Sequence, residues 1–139
     1  MKQLGSLRII SLIPSATEIV YLLGLEKYLV GRSHDSDFPP AAGKKQVVSD
    51  TIIDTSLSSY EIDAQVRESL HRGRSLFHID SNLLSKLRPN LILTQELCEV
   101  CAPSFMQAQR AARILKADTT MLSLEPHSIE EMFENIRTV

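Results

Sequence analysis

The chain has 139 residues, 43% of them hydrophobic and 23% charged, which fits one domain of ordinary size with enough chain to bury a core. A net charge of −2 without a basic cluster excludes a partner whose phosphates must be tracked by lysines and arginines. The longest apolar run, broken at Ser11, is far too short to cross a bilayer, so no membrane insertion is expected.

In chain order, the first signal is the run Arg8-Ile-Ile-Ser-Leu-Ile-Pro-Ser-Ala-Thr-Glu18. Its β-branched start predicts a buried strand over 8–13. Pro14 is expected to stop it, with Ser15 and Glu18 as a capping box ahead of a helix over 15–23. Gly24 ends that helix. A second strand is predicted over 28–33, followed by an irregular stretch from Asp35 to Ile53 that holds Pro39-Pro40 and a short strand at 46–48. A helix over 59–72 ends at Gly73, with His71 and Arg72 suiting the negative end of its dipole. A strand over 76–79, a helix over 81–87 closed by Pro89, and a strand over 91–94 come next. The last predicted elements are a helix over 104–116, a strand over 120–124 and an amphipathic helix over 128–139. That last helix carries a second Ser-x-x-Glu box at Ser128 and Glu131, with Ile129, Met132, Phe133 and Ile136 on one face.

This alternation predicts an α/β fold: a three-layer, Rossmann-like lobe around a mainly parallel central sheet of about five strands joined by right-handed crossovers. In such folds ligands bind at the carboxyl ends of the strands. The candidate ligand-binding residues are therefore those just past the strands: Ser15, Ala16 and Thr17 after the first, His34 and Asp35 after the second, and Thr94, Gln95 and Cys98 after the strand at 91–94. Ser15 and Glu18 serve as caps on either reading. A ligand contact would come in addition, through backbone N–H groups and hydroxyls. His34, Asp35 and Asp37 form a polar rim, with His34 or Asp35 facing the cleft; as a metal site the loop lacks a full ligand set.

Cys98 and Cys101 make one Cys-x-x-Cys, which is no disulfide framework. The pair reads first as loop structure or cleft lining, second as half of a metal site, and last as redox chemistry. Glu96 and Glu99 would raise a nearby thiol pKa and oppose thiolate formation. His71, His78 and His127 stand alone and read as structural. Arg67, Arg72 and Arg74 read as solvated surface. No Ser-His-Asp set, P-loop or dinucleotide fingerprint occurs, so no catalytic residues and no enzyme are expected.

Taken in order, several motifs resemble a family. They are Arg8 to Glu18, Leu23-Gly24, Val30-Gly31, Asp37-Phe-Pro-Pro40, Ile62-Asp63, Ile79-Asp80, Leu87-Arg88-Pro89-Asn90-Leu91-Ile92-Leu93-Thr94-Gln95 and Cys98-Glu99-Val100-Cys101-Ala102. Together they resemble the N-terminal lobe of cobalamin-type substrate-binding proteins of ABC importers. The resemblance implies two α/β lobes joined by a rigid backbone helix, with ligand held non-covalently in the cleft between them. Residues 1–139 would form the first lobe, ending at the start of the backbone helix at 128–139, with the second lobe outside them.

The resemblance also implies a corrinoid or another large metal chelate as ligand, with cobalamin a ligand and not a required cofactor. It implies an ABC permease as partner of the complete protein and a periplasmic or extracellular location. Met1-Lys-Gln-Leu-Gly-Ser6 shows no apolar signal stretch, which keeps a cytoplasmic location open. The chain has no Trp, and His34, Asp35 and Gln95 stand where relatives place aromatic rim residues. Two further expectations stand beside this one: a cytosolic thiol- or metal-handling protein using Cys98 and Cys101, and a homodimer that covers exposed cleft and helix surfaces.

Overall fold

Five parallel strands carry the lobe. The structure, a computed structural model, describes residues 7–95 and 119–139, with Gln109 between them. The elements are β1 (Ile9–Ser11), α1 (Pro14–Leu22), β2 (Leu29–Arg32), β3 (Gln46–Val47), β4 (Ser49–Thr51), α2 (Ser59–His71), β5 (Phe77–Ile79), α3 (Ser81–Leu87), β6 (Leu91–Thr94), β7 (Thr120–Ser123) and α4 (Ile129–Thr138). Short 3₁₀ turns occupy Glu26–Tyr28 and Ala42–Lys44.

The main sheet has the order β3-β2-β1-β6-β7, and every pairing in it is parallel. The chain winds outward from β1 to β3, then returns to the far side of β1 as β6. The order therefore reverses between β1 and β6, and the crevice at their carboxyl ends is the place where such sheets take ligands.

The core lies on both faces of this sheet because alternate residues of each strand point to opposite sides. Ile9, Ile13, Leu29 and Leu93 pack on one face against Ala16 and Val20 of α1, with Val139 beyond α4 joining them. Ile10, Leu12, Val48 and Ile92 pack on the other face against Leu84 of α3, with Leu83 and Leu87 beside it. Strand β2 comes close to its neighbours at Gly31, where an added Cβ would lie 2.7 Å from Val48 Cγ1 and 3.1 Å from Leu87 Cδ1. That spacing holds the position to glycine.

Three expectations from sequence are corrected. Strand 76–79 does not join the parallel sheet: Phe77–Ile79 pairs antiparallel with Ser49–Thr51 in a separate two-stranded ribbon. The edge place in the main sheet goes to Gln46–Val47. Only Val48 separates β3 from β4, so the chain leaves the main sheet at once and offers Ser49–Thr51 as a strand edge to Phe77–Ile79.

The second correction concerns α1. Its N-cap is Ile13, with no side-chain cap, and Pro14 is the first helical residue. Proline's fixed φ suits that first position, so Pro14 begins the helix and leaves Ser15 and Glu18 exposed without forming a box. At α4 only half of the predicted box forms. Ser128 Oγ accepts from Glu131 N (3.1 Å), while Glu131 Oε2 accepts from His127 N and not from Ser128 N.

A complete box forms instead at α2, where Ser58 accepts from Glu61 N and Glu61 Oε2 accepts from Ser58 N (2.9 Å). Hydrogen bonds from Ser58 hold the Glu61 carboxyl below its usual pKa. The fold therefore gains from the box above the unfolded-state pKa and loses that gain as pH falls through the folded one. Ser58→Ala is expected to cost about 1 kcal/mol in urea melts at pH 7. The gap between variant and parent should narrow below about pH 4; an unchanged gap there would show that Glu61 takes no part.

Two glycine predictions hold: Gly24 and Gly73 sit just past helices at φ 69° and 62°. At the end of α3 a non-glycine residue, Arg88, takes the left-handed conformation (φ 45°) ahead of Pro89. The predicted helix at 104–116 lies outside the described residues. No helix among the described residues is long and apolar enough to cross a membrane.

Candidate functional site

The site is assembled at the carboxyl ends of the sheet from the loops after β1, β2, β3 and β6. After β1 the hydroxyls turn inward. Thr17 is fully buried, and its Oγ1 donates to Ser11 Oγ (2.9 Å), which in turn donates to Ile13 O (2.9 Å). Ala16 is buried in the core, so of the first trio only Ser15 is exposed. Thr94, at the end of β6, is fully buried with its Oγ1 lacking a hydrogen-bond partner among the described residues, and Gln95 beside it is half-buried. Cys98 and Cys101 lie outside the described residues.

The loop after β2 is organised by Arg32. This side chain is 8% exposed, and its guanidinium donates to Ser33 O (2.9 Å), His34 O (3.2 Å) and Gly43 O (3.5 Å). Its Nε has no partner among the described residues. No carboxylate among the described residues lies within ion-pair distance of it. A buried cation neutralised only by carbonyl dipoles acts here as a staple for residues 33–43. Ser33 Oγ and Ser36 Oγ, 2.7 Å apart, close the same loop.

His34 is thereby pinned. Its Nε2 lies 3.1 Å from Asp35 Oδ1, its Nδ1 3.3 Å from Ser49 Oγ, and its ring 5.8 Å from that of Phe77. Asp35 itself is exposed.

A pocket of about 440 Å³ opens at this corner, lined by His34, Val47, Val48, Ser49, Asp50, His78 and Asp80. It brings His78, which looks solitary in the sequence, into the same wall as His34. The signal for this was the alternation in Phe77-His78-Ile79, buried–exposed–buried, which turns His78 away from the core. That pattern cannot name the strand's partner, and Ser49–Thr51 carried no strand signal of its own. A second groove, of about 460 Å³ and mostly apolar, runs between α1, Phe38-Pro39 and α4; Ser15 and Glu18 stand in its wall. Tyr21 lines it too. Burial is the main cause that raises its phenol pKa, Glu26 adds to the rise, and Arg32 opposes it.

A parallel sheet with a switch point, polar loops at its carboxyl edge and an open pocket there define an α/β lobe with a candidate ligand site on one side. Among solved structures the chain is similar to the periplasmic vitamin B12 binding protein BtuF of Vibrio cholerae. The identity is 25% and the TM-score 0.61, over 94% of this chain and 39% of that one. It is also similar to a possible iron-binding (periplasmic solute-binding) protein from Staphylococcus epidermidis ATCC 12228, with 27% identity and a TM-score of 0.55 over 94% and 40% of the two chains. The periplasmic heme-binding protein RhuT from Roseiflexus sp. RS-1 shares the fold at 19% identity, with a TM-score of 0.51 over 84% and 33%.

The chain thus has the fold of one lobe of the periplasmic solute-binding proteins of the BtuF type. It spans about two fifths of the length of the first two. These neighbours are solute-binding proteins and not enzymes. No protein-family model matches the chain, and no curated protein does.

Proposed function

We propose that the chain is the solute-binding lobe of an ABC-importer binding protein. It captures a corrinoid or another large metal chelate without covalent chemistry, in the periplasm or outside the cell. The observation that supports this most is the pocket at the carboxyl edge, placed on a lobe that matches BtuF over 94% of the chain. Ser15, His34, Asp35 and Gln95 would contact the ligand, His34 from the wall of this pocket and Ser15 from the wall of the second groove. The hydroxyl of Thr17, used within the fold, and the buried Ala16 would support them from behind. A second lobe would close the cleft, and a permease would receive the ligand.

Calorimetric titration with cyanocobalamin tests the reading, with Co²⁺ and Zn²⁺ salts as comparison. Micromolar binding of the corrinoid supports it. Binding of the bare ions alone would replace it with metal handling.

A further inference from the structure

The pocket at the carboxyl edge holds four titratable side chains, and three of them are already engaged. His34 is held by Asp35 and Ser49. Asp80 Oδ1 accepts from Leu83 N (2.9 Å) as the cap of α3, and Asp50 Oδ1 accepts from Thr51 N (2.8 Å). His78 is exposed, and its imidazole makes no hydrogen bond or ion pair with any described residue. It stands directly across the β4–β5 ribbon from Asp50, so the two side chains share one face of the ribbon.

A carboxylate beside an imidazole is the pairing that fixes the tautomer of a metal-bound histidine and strengthens it as a donor. No lysine or arginine lines the pocket to repel a metal centre. Among the described residues no three His, Cys, Asp or Glu side chains gather closely enough to enclose a bare ion. A single imidazole donor suits a metal that arrives already chelated and keeps one exchangeable position.

We infer that His78 coordinates the metal centre of the ligand, with Asp50 as its positioning residue. This rests on the proposed solute-binding function and narrows its ligand class to chelates with a replaceable axial ligand. The step is a ligand exchange. The neutral imidazole nitrogen gives its lone pair to the metal, the bound water leaves, and neither a proton nor an electron is transferred.

The test compares two corrinoids on the 139-residue chain. Aquocobalamin carries a replaceable water; in cyanocobalamin cyanide holds that position. The chain is expected to bind aquocobalamin more tightly by roughly tenfold or more, with a change in the visible spectrum as imidazole replaces water. His78→Gln should abolish the spectral change and the preference for aquocobalamin. Asp50→Asn should weaken the preference by about tenfold. Equal affinities without a spectral change, or a change that persists in His78→Gln, would overturn the assignment and leave the solute-binding reading intact. Binding of neither corrinoid would remove both.

Discussion

Ile10→Ala is expected to lower the free energy of unfolding by about 2–5 kcal/mol, in the upper half of that range. Ile10 is fully buried in β1, which is flanked by β2 on one side and β6 on the other. Its side chain packs with Leu12, Val48, Ile79, Leu84 and Ile92. A cavity here cannot collapse, because strands held by backbone hydrogen bonds stand on both sides. Ile10 Cγ1 also lies 3.3 Å from where a Gly31 Cβ would be, so side chain and bare glycine fill one space jointly. Urea unfolding of Ile10→Ala checks the value; a loss under about 1 kcal/mol would show that this face is not close-packed. The double variant Ile10→Ala with Gly31→Ala should be less destabilised than the sum of the two singles, because the added methyl enters the vacated space.

Arg32→Met is expected to act on binding more than on stability. Two opposing terms meet at this position. Methionine leaves the carbonyls of Ser33, His34 and Gly43 without their donor, at roughly 1–3 kcal/mol for each one that water cannot reach. It also relieves the desolvation of a buried guanidinium whose Nε bonds to no described residue. The loop is at the surface, with Asp35, Phe38 and Gly43 exposed, so water recovers part of the first term. The net cost should be only about 1–2 kcal/mol.

The loop from 33 to 43, however, loses the group that ties its two ends, and His34 loses its position in the pocket. Ligand affinity should fall by roughly tenfold or more, the factor that about 1.4 kcal/mol represents. Titration of the variant beside its urea melt separates the two effects. A large loss of stability with unchanged affinity would show the staple to be purely structural.

Strands and helices were legible where a pattern was local. Leu91–Thr94 and Ser81–Leu87 lie at their predicted bounds, and the glycines mark the helix ends. Partnership was not legible. Phe77–Ile79 reads as a strand from its own residues, but its neighbour depends on how much chain separates β3 from β4. The α1 start was misread for a similar reason: Ser15-x-x-Glu18 fits a box, and Pro14 claimed the first helical position before the box could form.

At the site, the sequence placed His34, Asp35 and Thr94 at the strand ends, and that much is a matter of order along the chain. It could not show that Thr17 spends its hydroxyl on Ser11, that Arg32 holds the loop, or that His78 comes round to stand beside His34. Each of those depends on contacts between residues distant in sequence.

The placement of β1 at the middle of the sheet has a consequence for biosynthesis. This strand is made before every other strand of the sheet, yet β6, its neighbour on one side, is made much later; Arg8 N reaches its acceptor, Asn90 Oδ1, 82 residues downstream. Until that partner emerges, the nascent chain offers β1 as an unpaired strand edge with Ile9 and Ile10 uncovered. Parallel pairing of this kind is slow because a long loop must close before any contact rewards it. The interval between synthesis of β1 and of β6 is therefore the period in which this chain most needs a chaperone, and in which strand-to-strand aggregation competes with folding.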